Sequence, residues 1–182
     1  SFELLGKGRE IVDKKGVELS SVILGHQIKE EAKELIYHGA DKVFLFDHPL
    51  LKEFDPILYK HNIVNLIKEE KPEIVLIGAT PLGRSLAPRI AAALNTGLTA
   101  DCIDLQLDEK GELIQIRPAF TGNILAYIKT KTRPVMATVR YKVFKARERD
   151  PSRKGEIIEK EVEVVEDTGI KIIQKVPREA IN

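Results

Sequence analysis

The sequence predicts an α/β domain built on a parallel sheet covered on both faces, with antiparallel strands added to it. Three observations lead there. Apolar runs too short for helices recur at residues 21–24, 42–46 and 73–77. Each is followed by a longer segment whose apolar residues fall at helical spacing, which supplies the right-handed crossover that parallel strands need. The chain has 182 residues, 43% of them hydrophobic, enough for one substantial core and too few for two ordinary domains.

Taken in order, residues 1–16 read as a helix in which Leu4, Leu5, Ile11 and Val12 approximate one apolar stripe. No strand precedes it, so the expectation is a chain whose first element is missing. The run at 21–24 ends at Gly25, and a helical pattern follows from Ile28 through Tyr37. A second strand, 42–46, ends at Asp47 and leads into a helix over 55–69 with Ile57, Leu58, Ile63, Leu66 and Ile67 as its apolar positions. The third strand, 73–77, feeds a helix over 81–94. On that helix Leu82, Leu86, Ile90 and Leu94 are expected to form the buried stripe, and Pro88 to cost an internal hydrogen bond.

The rhythm changes after Gly97. Runs 102–107 and 112–117 flank the turn Asp108-Glu109-Lys110-Gly111 and read as a hairpin; 123–129 and 134–141 add two more strands. These lie too close together for helical crossovers, so antiparallel or mixed pairing at a sheet edge or flap is expected. Residues 145–154 read as an exposed polar loop, and 156–165 and 170–173 as further strands. The domain division expected is 1–145 for the α/β domain and 146–182 for a charged loop and strand extension.

Composition excludes several function classes. Lys and Arg total 29 against 28 Asp and Glu, a net charge of +1, which gives no global footprint for nucleic acid or an anionic membrane. The stretch 129–154 is locally basic, with ten Lys or Arg against two acidic residues and Tyr141 and Phe144 interleaved. A solvated or protein-facing surface is the stronger reading of it than single-stranded nucleic acid. One cysteine, Cys102, excludes an internal disulfide and suits a reducing compartment. No apolar run is long enough to span a bilayer, and a cytoplasmic location is expected. The four histidines show no metal-ligand spacing, and Ser85 has no nucleophile-elbow context.

The segment GATPLGRS, 78–85, differs from a phosphate loop by one residue, with Arg84 in the lysine position. Local chemistry argues for a plain strand-to-helix turn instead. Pro81 removes a backbone donor, Thr80 suits an N-cap, and an arginine fork needs different room from a lysine. Asp101 and Asp104, three apart at a strand entry, read as solvent-facing. Two further stretches stay open between structure and contact. Arg117-Pro118 with Gly122-Asn123 is either a structural corner or a contact at the sheet edge; Arg133 and Arg140 are either anion contacts or ordinary solvent-facing residues.

Together, residues 75–92 with Leu98-Thr99-Ala100-Asp101, Arg117-Pro118-Ala119-Phe120-Thr121-Gly122-Asn123 and residues 132–140 resemble the alpha subunit of an electron transfer flavoprotein. The resemblance covers the whole chain and corresponds to the N-terminal domain of that family. It implies the adenine nucleotide alpha hydrolase-like form of a three-layer α/β fold, and pseudo-symmetric pairing with a beta subunit. The heterodimer would carry electrons from flavin-dependent dehydrogenases, commonly acyl-CoA dehydrogenases, to a quinone reductase; bifurcating relatives take them from NADH. FAD would be held by a C-terminal domain expected to be absent here, and AMP or a second FAD by the beta subunit. This chain would then be an assembly platform and electron-carrier part, with no bound cofactor, metal or independent catalysis of its own. Arg117, Gly122, Asn123, Arg133 and Arg140 are the expected subunit-junction residues. The alternatives are a nucleotide-binding or nucleotide-hydrolysing module of related fold and a basic interaction module.

Overall fold

The computed structural model describes residues 2–120, 124–174 and 176. Helix α1 (Phe2–Lys15) is followed by β1 (Ser20–Gly25), α2 (Lys29–Tyr37), β2 (Lys42–Asp47), a short 3-10 turn (Pro49–Leu51), α3 (Pro56–Glu70), β3 (Ile74–Gly78) and α4 (Pro81–Ala93). Then come β4 (Leu98–Cys102), β5 (Asp104–Leu107), β6 (Leu113–Ala119), β7 (Ile124–Ile128), β8 (Val135–Val139) and β9 (Glu156–Glu159).

Strands β1, β2 and β9 form one parallel sheet in that spatial order, and β3, β8 and β4 form a second. Strands β5, β6 and β7 make an antiparallel meander. Side-chain alternation along the central strands separates the helical layers. Val43 and Leu45 of β2 pack with Leu5 of α1 and Ala32, Leu35 and Ile36 of α2, while Phe44 and Phe46 face Leu58 and Leu66 of α3. On β8, Val135, Ala137 and Val139 share a core with Ile11 of α1; Met136 points the other way, to Val64 and Ile67 of α3 and Ile90 of α4. The result is three layers, with α1 and α2 on one face and α3 and α4 on the other. Helices α1 and α3 each touch both parallel sheets and so tie them together. Every fully buried Leu, Ile or Phe in these layers contributes ~1.5–3 kcal/mol.

Helix boundaries follow local chemistry. At α3, Asp55 Oδ1 accepts from the N–H groups of Ile57 and Leu58 at 2.8 and 3.1 Å, Pro56 occupies the first helical position, and Lys71 closes the helix at φ 48°. Helix α4 runs on through Pro88. Pro88 and Arg84, one turn earlier, are both exposed, so the carbonyl that loses its partner lies on the solvent side.

Three expectations are corrected. Residues 135–139 are a parallel strand at the centre of the second sheet, buried throughout, and no part of a flap. Parallel pairing is possible because the meander β5–β7 itself serves as the crossover from β4 to β8, doing what a helix does elsewhere. Residues 170–173 form no strand, and Ile173 is 94% exposed. Leu82 is 54% exposed; the buried face of α4 is Gly83, Leu86, Ala87, Ile90 and Ala91. Among the described residues no helix is long and apolar enough to cross a membrane.

Candidate functional site

The carboxyl ends of parallel strands are where open α/β sheets gather functional groups. At the first sheet that end is closed by Asp47, whose two carboxylate oxygens accept from the backbone N–H groups of Gln27 and Ile28 at 2.7 and 3.1 Å and so set the start of α2. Those bonds, Gln27's foremost, hold the Asp47 carboxyl below its ordinary range against a smaller effect of burial.

The second sheet ends differently. The chain leaves β3 at Gly78, and Ala79 N–H donates to the Val139 carbonyl at 2.7 Å. Thr80 Oγ1 accepts from Gly83 N–H at 3.1 Å, capping α4, with Pro81 at its first position. Gly83 is required by space: a Cβ there would overlap the Gly78 carbonyl oxygen. Arg84 folds back over this turn, its Nε donating to the Ala79 carbonyl at 3.0 Å and its Nη2 lying 3.5 Å from Asp101 Oδ1.

Asp101 is the centre of the site. It sits in β4 at φ 60°, where the pairing with β8 slips between Thr99 and Cys102, and its N–H donates to Thr138 Oγ1 at 2.8 Å. Arg140, the residue after β8, donates from Nη2 and Nε to its carboxylate at 2.6 and 3.3 Å, and the Arg140 N–H donates to the Cys102 carbonyl at 2.9 Å. The Arg140 hydrogen bond chiefly holds the Asp101 carboxyl below its usual range. Burial opposes it, and the charges of Arg140, Arg84 and Arg117 add to it. Arg140 is correspondingly raised by Asp101.

Two guanidinium groups, those of Arg84 and Arg140, thus lie against one ionised carboxylate, and the charge of Arg117 acts on it without a contact, an excess of positive charge on an open face. This arrangement can hold an anionic group, and it supplies no proton donor or acceptor that titrates near neutrality. Cys102, next in sequence, is no nucleophile: it is fully buried, and burial pushes its thiol up to about 11. No group of three His, Cys, Asp or Glu that could hold a metal ion is present among the described residues.

Of the expected junction residues, Arg140 lies at this site, and Arg117 acts on Asp101 through its charge alone. Arg133 does neither. It lies at the opposite end of β8, roughly 20 Å away by strand rise, where its Nη1 donates to the Thr130 and Thr132 carbonyls at 3.0 and 3.3 Å. Gly122 and Asn123 lie outside the described residues. Sequence reasoning placed Asp101 in solvent and did not join Arg84 to it. The available signal was the run Leu98-Thr99-Ala100-Asp101-Cys102, readable as a strand ending in a charge.

The same geometry bears on nucleotide and flavin binding. Thr80, Gly83 and Arg84 are committed to capping, close packing and the Ala79 carbonyl, so the turn offers no phosphate cradle. A groove of 270 Å³ between α1 and β5 is lined by Lys7, Glu10, Ile11, Lys14, Leu105, Gln106 and Leu107, and a second runs past Lys14, Lys15 and residues 107–111; neither lining includes an aromatic side chain.

A family model described as electron transfer flavoprotein domain matches residues 1–165. The electron transfer flavoprotein subunit alpha of Thermoanaerobacterium thermosaccharolyticum is 46% identical over 183 residues, covering 100% of this chain and 56% of that protein. The subunit alpha of Clostridium acetobutylicum is 53% identical over 146 residues, 79% of this chain and 44% of the relative. The lactate dehydrogenase (NAD(+),ferredoxin) subunit LctC of Acetobacterium woodii is 51% identical over 150 residues, 82% of this chain and 36% of the relative. The chain spans about half the length of the curated relatives it matches, or less. With the three-layer fold and the strand-to-helix turn at Thr80 in place, these similarities show that the chain belongs to the electron transfer flavoprotein domain family.

Proposed function

We propose that this chain supplies the N-terminal part of an electron transfer flavoprotein alpha subunit and acts there as the platform on which the beta subunit assembles. Residues 1–145 would be the platform and residues 146–182 the extension toward a flavin-binding domain. The observation that carries the reading is the Arg84–Asp101–Arg140 cluster, on which the charge of Arg117 also acts: a cationic end face with, among the described residues, no group suited to acid–base or nucleophilic chemistry. Such a face suits charge-complementary docking. In the complete heterodimer FAD would be the redox group, held by the alpha subunit outside this chain's described residues, and AMP or a second FAD would sit in the beta subunit. The cofactor supplies all of the electron chemistry; the protein positions it and its partners.

The donors would be flavin-dependent dehydrogenases, acyl-CoA dehydrogenases among them, and the acceptor a quinone reductase, in the cytoplasm. A second reading, electron bifurcation from NADH, draws support from the relative whose name joins lactate, NAD(+) and ferredoxin. Purification of the full-length alpha subunit with its beta subunit tests both. A flavin-containing heterodimer reduced by an acyl-CoA dehydrogenase supports the first, and direct flavin reduction by NADH supports the second. Stoichiometric flavin absorbance on this 182-residue chain alone would overturn the platform reading.

A further inference from the structure

The chain leaves β9 and runs back along α3. The ladder ends where Lys160 N–H donates to the Leu45 carbonyl at 2.9 Å, and Lys160 Nζ pairs with Glu69 near the C-terminal end of the helix at 2.8 Å. Residues 161–168 join no sheet. They pass Asn62 at the middle of α3 and reach its start, where the Thr168 hydroxyl donates to the N-cap Asp55.

Asn62 is 2% exposed, and a buried amide must be satisfied. Its Nδ2 donates to the Leu58 and Glu163 carbonyls, each at 3.0 Å, and its Oδ1 accepts from Glu163 N–H at 2.8 Å. One side chain thus gives the backbone of Glu163 both of the bonds that a neighbouring strand would give. The Glu163 carboxylate lies 2.9 Å from His61 Nε2 and accepts from Asn65 Nδ2 at 2.8 Å.

The rest of the hold is thin. Val162 and Val165 pack on the Phe44, Phe46 and Leu58 cluster and are only half-buried, and Val164 is 52% exposed. Upstream the chain is fastened differently: Arg149 grips Glu34 at 2.7 and 2.8 Å, Arg153 reaches Asp41 at 2.5 Å, and 156–159 pair with β2. Downstream, Gly169 stands at φ 66° in open space, and among the described residues 170–174 make no hydrogen bond to the body.

We infer that residues 161–168 are a releasable strap and that Asn62 is its latch. Docked, the strap fixes the exit of the chain at Gly169. Released, it moves the last fixed point back to Lys160 and adds eight residues, roughly 26 Å at full extension, to the free chain. This segment opens ahead of β9 because it forfeits few apolar contacts and no ladder. The inference rests on the assembly reading for its consequence: where residues 146–182 lead toward a flavin-binding domain, the latch sets the reach of the tether.

The test uses this 182-residue chain. Hydrogen exchange is followed residue by residue in the unsubstituted and Asn62→Leu proteins. The distance between spin labels on Lys68→Cys and Glu166→Cys is measured in each, the buried Cys102 staying unlabelled. In the unsubstituted chain the Glu163 amide should exchange more slowly than those of 170–174 and faster than those of β2. Asn62→Leu should quicken it about ten-fold or more, leave β1 and β2 unchanged, and turn a narrow label distance into a broad one. Val164→Ser, on the exposed side, should change neither readout. Unaltered exchange at 161–168 in Asn62→Leu, or quickening spread evenly over the chain, overturns the latch. If Asn62→Leu does not fold, the unsubstituted chain decides: a Glu163 amide as slow as β2 shows that the strap opens only with the whole molecule, one as fast as 170–174 shows that it is not docked, and either overturns the inference. Stoichiometric flavin on this chain would overturn the assembly reading and leave the latch standing.

Discussion

Arg140 clasps Asp101 through two contacts, Nη2 to Oδ2 at 2.6 Å and Nε to Oδ1 at 3.3 Å, fastening the end of β8 to a residue of β4 whose backbone is left-handed. The clasp forms where the two strands fall out of register, so it substitutes for ladder bonds that the slip removes.

The clasp has a defined pH dependence. The folded Asp101 carboxyl titrates below its ordinary value, so its contribution is complete above pH ~4 and is lost as the pH falls through the depressed value. Asp101→Asn keeps a side chain that tolerates positive φ but loses the charge, and should cost about 1 kcal/mol at pH 7. Thermal melts of both proteins from pH 7 downward check this: the gap in Tm should close in acid. A gap independent of pH would show that the charge contributes nothing. Asp101→Val should cost a further ~1–2 kcal/mol, because a β-branched residue is forced into the left-handed region.

Gly83→Ala should be among the most damaging single-methyl changes in the chain. The added carbon meets backbone, the Gly78 carbonyl, and no flexible side chain can yield to it. A loss of about 2 kcal/mol or more is expected, read as a shifted urea midpoint with an unchanged slope. Ser85→Ala on the same turn should cost well under 1 kcal/mol.

Gln115 holds the meander to the parallel sheet. It is fully buried; its Oε1 accepts from Thr99 and Thr130 hydroxyls at 3.0 and 2.9 Å, and its Nε2 donates to the Met136 carbonyl at 3.0 Å. Gln115→Leu leaves those partners unsatisfied at roughly 2–3 kcal/mol. Hydrogen exchange should quicken through β6 and β7 while β1 and β2 stay protected. Uniform quickening would show that the network stabilises the whole molecule alike.

Cys102 should resist alkylation in the folded protein. It is fully buried, and burial raises its thiol to about 11, so thiolate is scarce near pH 8. A thiol reagent should react at once in denaturant and only at the rate of opening in buffer. Rapid reaction of native protein would contradict both the burial and the shift.

The three strand–helix pairs from β1 to α4 were legible because each joins a period to a punctuation mark: an apolar run, then Gly25, Asp47 or Gly78, then helical spacing. Thr80 and Pro81 announced a helix start, and the cap is present. The role of 135–139 was not legible. Val-Met-Ala-Thr-Val is compatible with any buried strand, and its place between β3 and β4 depends on where the meander over residues 104–128 delivers the chain.

The candidate site divides the same way. Arg117 and Arg140 could be named from local sequence because charges at strand ends are visible there. That Arg140 and Arg84 meet at Asp101 could not, since these residues come from the segment after β8, a helix and β4, whose ends meet only after the crossovers are fixed. Periodicity and capping act between residues a few positions apart, so the sequence by itself determined the elements, their order and the family likeness. Strand neighbours, the left-handed Asp101 and the cationic face it organises are long-range outcomes, decided only by the tertiary structure, where packing chooses among pairings that are locally equivalent.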